Sequence, residues 1–243
     1  MDKIACVTGA DRGLGFALAL QLARAGYRVF AGRYMPDWHA LDEAPPELAS
    51  RIAPIPLDVA SGESVERAAQ LIADRAGHID LLINNAGIAG GHEGSILGPA
   101  NIDFGLVRRI YEVNAMGPLR VTSALSGLLA KGSGKIVVNI SSEAGQINQT
   151  WREGWYGYCM SKAALNVQTN IMHNELRKLG GKALAVHPGW MKTYMGGERN
   201  ENAAIEPEEA AESITNYIQG YIGETAERAH PPFVDYTGAE MPW

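Results

Sequence analysis

Short apolar runs alternate with longer stretches of helical periodicity along the whole chain. Lys3–Thr8 reads as a strand, about Leu14 to Ala25 as a helix, and Tyr27–Gly32 as a second strand. The alternation continues through Ile52–Leu57, a helix from Ser61 to about Ala76, Ile79–Ile83, a long helix near Asp103 to Leu129, and Lys135–Ile140. Further helices are expected from about Tyr158 to Leu179 and from about Pro207 to Gly220, with strands at Ala183–Val186 and near Phe233. Strands that are apolar on both faces and joined by helices predict an α/β fold, a doubly wound parallel sheet of about seven strands with helices on both faces and right-handed crossovers. Pro54 and Pro56 lie inside the third run, where a central strand would lose two backbone donors, so the limits of that strand stay open.

Loops are expected at 35–47, 90–99 and 148–157, and the chain carries no repeat, low-complexity tract or linker. With 243 residues, 46% of them hydrophobic, a single domain spanning 1–243 can bury a sizeable core. The balance of 21 basic against 27 acidic residues gives −6, which argues against nucleic acid or an anionic membrane surface as partner. No apolar run approaches the roughly 20 residues of a membrane helix. The first strand begins without a signal-peptide pattern, so a soluble cytoplasmic protein is expected. Cys6 and Cys159, in a strand and a helix, support neither a disulfide framework nor a thiolate site, and no metal is expected.

Tyr158 and Lys162 stand four residues apart, one helical turn from each other on one face. A free phenol has a pKa near 10 and exchanges protons sluggishly at neutral pH, whereas a neighbouring ammonium favours the phenolate. The turn Thr8-Gly-Ala-Asp-Arg-Gly-Leu-Gly15 follows the first strand. Gly9, Gly13 and Gly15 let backbone approach a pyrophosphate and aim the helix beginning near Leu14 at its charge. At the end of the second strand, where a carboxylate would bond the ribose 2′-hydroxyl of NAD, stands Arg33, and Arg12 lies within the glycine turn. Guanidinium groups pair with a 2′-phosphate, so NADP(H) is favoured over NAD(H).

Together with Asn84-Asn-Ala-Gly87, Ser142 and Pro188-Gly189, these motifs stand in an order, with strands between them, that resembles the short-chain dehydrogenases/reductases over nearly the whole chain. The segment Gly189–Gly197 and the final residues Val234–Trp243 look like the carbonyl-reductase-like and C-factor-like members. The resemblance implies a single-domain Rossmann fold and an oxidoreductase that interconverts a ketone or aldehyde and its alcohol. Tyr158 would be the general acid/base, Lys162 its electrostatic partner, Ser142 the group that polarises the substrate oxygen, and Asn114 the holder of a water in a proton relay. The adjacent Ser141 is read as a backbone-capping hydroxyl.

The same resemblance places Gly9, Arg12, Gly13, Leu14, Gly15, Arg33, Asp58, Val59, Asn85, Gly87 and Pro188 at the cofactor, with Tyr158 and Lys162. Met191 and Thr193 match positions that hold the nicotinamide carboxamide, Asn84 is read as structural, and His187 is read as a turn residue. The substrate site would form from loops 90–99, 143–157 and 190–206. Ser142, Trp151, Tyr156 and Trp190 are its candidate contacts, although aromatic packing explains the tryptophans equally well. A homodimer or homotetramer is expected by analogy. Two alternatives use the same residues, an NADP(H)-binding regulatory protein and an enzyme without net redox change, such as an epimerase or eliminase.

Overall fold

Every residue of the first strand after Lys3 is buried, as a strand covered on both faces must be. In the computed structural model, which describes residues 2–91, 94–98, 101–149, 151–195 and 197–243, the elements follow in alternation. They are β1 (Lys3–Val7), α1 (Gly13–Arg24), β2 (Tyr27–Arg33), α2 (Pro46–Ala49), β3 (Ile52–Pro56), α3 (Gly62–Ala76), β4 (Leu81–Asn84) and α4 (Phe104–Tyr111). Then come α5 (Gly117–Lys131), β5 (Ile136–Ile140), α6 (Tyr156–Leu176), β6 (Lys182–His187), α7 (Pro207–Gly223) and β7 (Phe233–Asp235). All strand pairs are parallel, in one seven-stranded sheet of order β3-β2-β1-β4-β5-β6-β7. Leu18 and Leu22 of α1 join Ile214 and Ile218 of α7 in the core on one face, while Ile72 of α3 and Leu125 and Leu129 of α5 fill the other. The chain runs outward in opposite directions from β1 and β4, so the crevice at their carboxyl ends is where a ligand fits this architecture.

The prolines of the third run are explained by its place at the sheet edge. Val29 N–H donates to Arg51 O at 2.7 Å and Leu57 N–H to Arg33 O at 2.8 Å. Residues 51, 53, 55 and 57 therefore address β2, and the nitrogens of Pro54 and Pro56 face outward, where no donor is needed. At the opposite edge the chain turns back on β7, with an antiparallel bridge from Val234 to Glu240 and Met241 N–H donating to Phe233 O at 2.7 Å.

Two local features differ from the pattern read in sequence. The long helix expected near Asp103 to Leu129 is two helices joined by a π turn, Glu112–Met116. Pro118 brings no N–H to the carbonyl of Asn114 four residues earlier, and the helix widens there. In addition, α6 starts at Tyr156, before the expected Tyr158, on a left-handed Trp155 with φ 56°. Among the described residues no helix is long and apolar enough to cross a membrane. Of the loops assigned to the substrate site, His92, Glu93, Pro99, Thr150 and Gly196 lie outside the described residues.

A buried carboxylate ties the lower end of the sheet together. Asp80 accepts from Ile4 N–H at 2.8 Å through Oδ2, and from Ser133 N–H and Oγ at 2.7 and 2.8 Å through Oδ1. Burial alone would raise its pKa, but these bonds and the Gly134 N–H hold the carboxyl below the usual aspartate range.

Candidate active site

A cleft of about 310 Å³ opens at the carboxyl ends of β1, β2 and β4. One end of its wall is the turn between β1 and α1. Gly9 and Gly13 have φ of 62° and 55°, a region that favours glycine. A Cβ on Gly9 would lie 2.8 Å from Ala86 Cα, and one on Gly15 would collide with the Gly9 carbonyl. Asn85 fixes this turn, its Nδ2 donating to Thr8 O and Gly9 O, both at 3.0 Å. Asn84, buried, donates instead to Thr122 Oγ1 and Asn139 Oδ1 inside the fold. The close backbone packing, the amino end of α1 at the cleft wall and a nearby guanidinium suit a phosphate-bearing dinucleotide.

The structure brings most of the predicted cofactor residues to this cleft. Gly9, Arg12, Gly13, Leu14, Gly15, Asp58, Val59, Asn85, Gly87, Tyr158, Lys162, Pro188, Met191 and Thr193 all line it. Arg33 is not among its lining residues. Its Nη2 donates to Asp42 Oδ1 at 2.7 Å, an ion pair with the following loop, and its buried Nε has no partner. Arg12, held by the rings of Trp38 and Tyr194, is the arginine of the two that reaches the cleft. Asp11 was missed by sequence reasoning. Buried beside the glycines, it accepts from the N–H groups of Tyr34 and Met35 at 2.9 and 2.7 Å and so sets the start of the loop after β2.

Beyond β5 the proton-bearing residues converge. Tyr158 is 8% exposed and hydrogen-bonded to the Ser142 hydroxyl. Lys162, buried, donates from Nζ to Ile140 O at 2.8 Å and lies 5.7 Å from the centre of the Tyr158 ring. Burial outweighs the pull that the ammonium was expected to exert on the phenol. Burial pushes Tyr158 up to about 12, against the opposing Ser142 bond and with Glu143 adding to the rise, while burial pushes Lys162 down to about 8. At neutral pH the phenol therefore carries its proton and the amine its charge.

The two serines separate as alternation along an extended chain requires. Ser141 Oγ donates to Asn166 Oδ1 at 2.6 Å, which corrects the reading of Ser141 as a backbone cap. The cap is Ser142 itself, whose Oγ accepts from Ala144 N–H at 3.1 Å at the start of a short 3₁₀ turn. Ser142 also donates to Glu143 Oε2 at 2.7 Å. Asn114, with no exposed surface, brackets Ile88 through both its amide atoms, each at 2.9 Å, and donates to Ser161 Oγ at 3.1 Å.

Glu143 was not foreseen. It pairs with Arg152 at 2.9 Å and lies 3.3 Å from His187 Nδ1. His187, expected as a turn residue, is instead the last residue of β6 and joins this charged cluster. Burial would raise the Glu143 carboxyl, but Ser142, His187 and Arg152 hold it below the ordinary glutamate range. His187 is shifted down by burial, against the pull of Glu143 and Asp235. The residues of this cluster come from three places in the chain and carry no spacing signal, which is why sequence periodicity could not find them.

The aromatic candidates stand around this centre and not in the cleft wall. Trp151 is 69% and Trp190 62% exposed, and Tyr156 is half-buried at the first turn of α6. Trp155, of the same loop, for which packing and substrate contact were equally expected, meets the Tyr158 ring edge to face at 5.7 Å, and the Arg152 guanidinium lies 4.6 Å from the Trp151 ring. Among the described residues no group of three or more histidine, cysteine or acidic side chains is placed to hold a metal ion.

The family model for short chain dehydrogenase matches residues 3–204. Among curated proteins the chain is similar to C-signal of Myxococcus xanthus, 37% identical over 69% of this chain and 94% of that protein. It is also similar to retinol dehydrogenase 5 of Mus musculus, 34% identical over 79% of this chain; that match spans 58% of the mouse protein. Among solved structures it resembles the NADPH-bound carbonyl reductase from chicken fatty liver, with a TM-score of 0.84 and 28% identity over 100% of this chain and 99% of that one.

Proposed function

Because the chain belongs to the short chain dehydrogenase family and is thus an oxidoreductase, we propose that it uses NADP(H) to interconvert a ketone or aldehyde and its alcohol. The observation that carries this reading is the convergence of Tyr158, Ser142 and Lys162 beside a glycine-walled cleft that Arg12 also lines. The likeness to a carbonyl reductase solved with NADPH supports it. The glycine turn, Arg12, Asn85, Lys162, Met191 and Thr193 would hold the dinucleotide, which when bound supplies or accepts the hydride.

Tyr158 gives its phenol proton to the substrate oxygen in reduction and takes the hydroxyl proton in oxidation. Its protonated state at neutral pH suits reduction. Ser142 orients the same oxygen, and Lys162 holds a positive charge next to the phenol, stabilising the phenolate that proton donation leaves behind. Asn114 fixes the segment at Ile88 beside Lys162 and is proposed to keep a water in the relay that returns the proton. Loops 90–99, 143–157 and 190–206 form the substrate site, with Trp151, Tyr156 and Trp190 at its margin. The helices beginning near Asp103 and Tyr158, which expose Phe104, Val167 and Ile171, are the proposed contact of a homodimer or homotetramer.

The test is a spectrophotometric screen of aliphatic, cyclic and aryl ketones and aldehydes with NADPH, repeated with Tyr158→Phe. Loss of a general acid removes about 10²- to 10⁴-fold in turnover, while the dissociation constant of NADPH stays within twofold. A second reading, a regulatory protein that binds NADP(H) and acts through a partner, is favoured by the likeness to C-signal. It predicts that Tyr158→Phe keeps full biological effect.

A further inference from the structure

Arg12 lines the cleft and lies against two aromatic rings that also touch each other. Its guanidinium carbon is 4.7 Å from the centre of the Trp38 ring and 5.2 Å from that of Tyr194. Its Nη2 donates to the Tyr194 carbonyl at 3.2 Å, and the two rings meet edge to face at 5.1 Å. The three residues arrive from different segments, the turn after β1, the loop after β2 and the loop after β6. Arg12 and Tyr194 line the cleft, and Trp38 packs against both.

Aromatic faces attract a guanidinium through their quadrupole without neutralising it, in contrast to a carboxylate. Arg33 shows the other case, since Asp42 compensates its charge at 2.7 Å. A guanidinium held against aromatic rings keeps its charge and further N–H donors for a ligand, and such donors pair with phosphate oxygens.

We propose that Trp38 and Tyr194 are the positioning residues that set the preference for the 2′-phosphorylated dinucleotide, by holding the Arg12 guanidinium in place at the cleft. The inference rests on the NADP(H) reading above. It also assigns the discrimination chiefly to Arg12 and its rings, and only secondarily to Arg33.

The experiment is a pair of fluorescence titrations, NADPH and NADH separately, on the full chain carrying Trp38→Ala, Trp38→Phe, Tyr194→Leu or Arg12→Ala. Trp38→Ala and Tyr194→Leu are each expected to weaken NADPH at least fivefold and leave NADH within twofold, and Trp38→Phe to keep most of the preference. In the Arg12→Ala background, Trp38→Ala should add nothing further. Equal weakening of both cofactors, or of neither, overturns the inference and leaves the rings as loop packing. Should Trp38→Ala lose its native circular dichroism, the Tyr194→Leu titrations decide alone. A wild-type chain that binds NADPH no better than NADH overturns the cofactor reading itself, a result separate from any effect of the ring variants.

Discussion

Replacing Lys162 by methionine is expected to stabilise the protein at neutral pH while removing a charge its chemistry needs. Lys162 is 3% exposed, and burial pushes its amine from 10.5 down to about 8. At about 1.4 kcal/mol for each pH unit, keeping it protonated in the fold costs about 3 kcal/mol. The folded value lies below the unfolded one, so the unfolded chain holds the extra proton in between. The cost is absent above pH 10.5, grows as pH falls, and is complete below about pH 8. Methionine removes this cost but leaves the Ile140 carbonyl without the donor it has at 2.8 Å, a loss of about 1 kcal/mol. The net gain near pH 7 is then about 2 kcal/mol, or roughly 4 to 8 °C in a domain of this size. Toward pH 10.5 the gain should invert to a loss of about 1 kcal/mol, because only the missing hydrogen bond remains. Urea unfolding of both proteins, followed by circular dichroism at several pH values from 7 to 10, reads the difference directly. A variant less stable at every pH, or a difference that does not change with pH, would refute the claim that a charged amine is buried here.

Glu143→Gln should release the Ser142 proton from a charged acceptor and remove the carboxylate that raises Tyr158. A KM for the ketone found in the screen lowered by about fivefold, worth about 1 kcal/mol, is expected at pH 7, and an unchanged or raised KM would count against that role. Asp80→Asn should lower the unfolding free energy by about 2 kcal/mol. The wild-type contribution of Asp80 is present above the ordinary aspartate pKa of 3.8 and is lost as pH falls through its lower folded value, so the gap between the two proteins should close in acid, measurable by urea unfolding. Gly15→Ala places a methyl group against the Gly9 carbonyl and 2.5 Å from Asn85 Nδ2. NADPH titration should show affinity weakened tenfold or more, about 1.4 kcal/mol, with the circular dichroism spectrum preserved.

The strands were legible in sequence because their burial on both faces writes nearly unbroken apolar runs, as in Ile136–Ile140. The π turn was not, although its cause stands in the chain. Gly117-Pro118 interrupts the amide ladder, and a reading of hydrophobic period does not register a missing donor. Tyr158 and Lys162 were readable as a pair because a helix converts a spacing of four into one face. Ser142 was separable from Ser141 only by resemblance. The partners that hold these groups were not readable, since Glu143 meets His187 across two strands and Arg12 meets Trp38 and Tyr194 across three loops. The ion pair of Arg33 was not readable for the same reason. Its partner Asp42 lies in an irregular loop whose path no periodicity gives.

Both margins of the sheet are closed to further strands. Pro54 and Pro56 turn nitrogens without hydrogen toward the outside of β3, and the returning chain at Glu240 and Met241 covers β7. A foreign strand, or the same strand of a second copy, therefore finds no continuous row of donors and acceptors on either side. The barrier against amyloid-like stacking is written into the backbone itself, so it is kept when surface side chains drift. Replacing both prolines would lift that protection at one margin without touching the cleft, which makes this pair a poor place to look for tolerated variation.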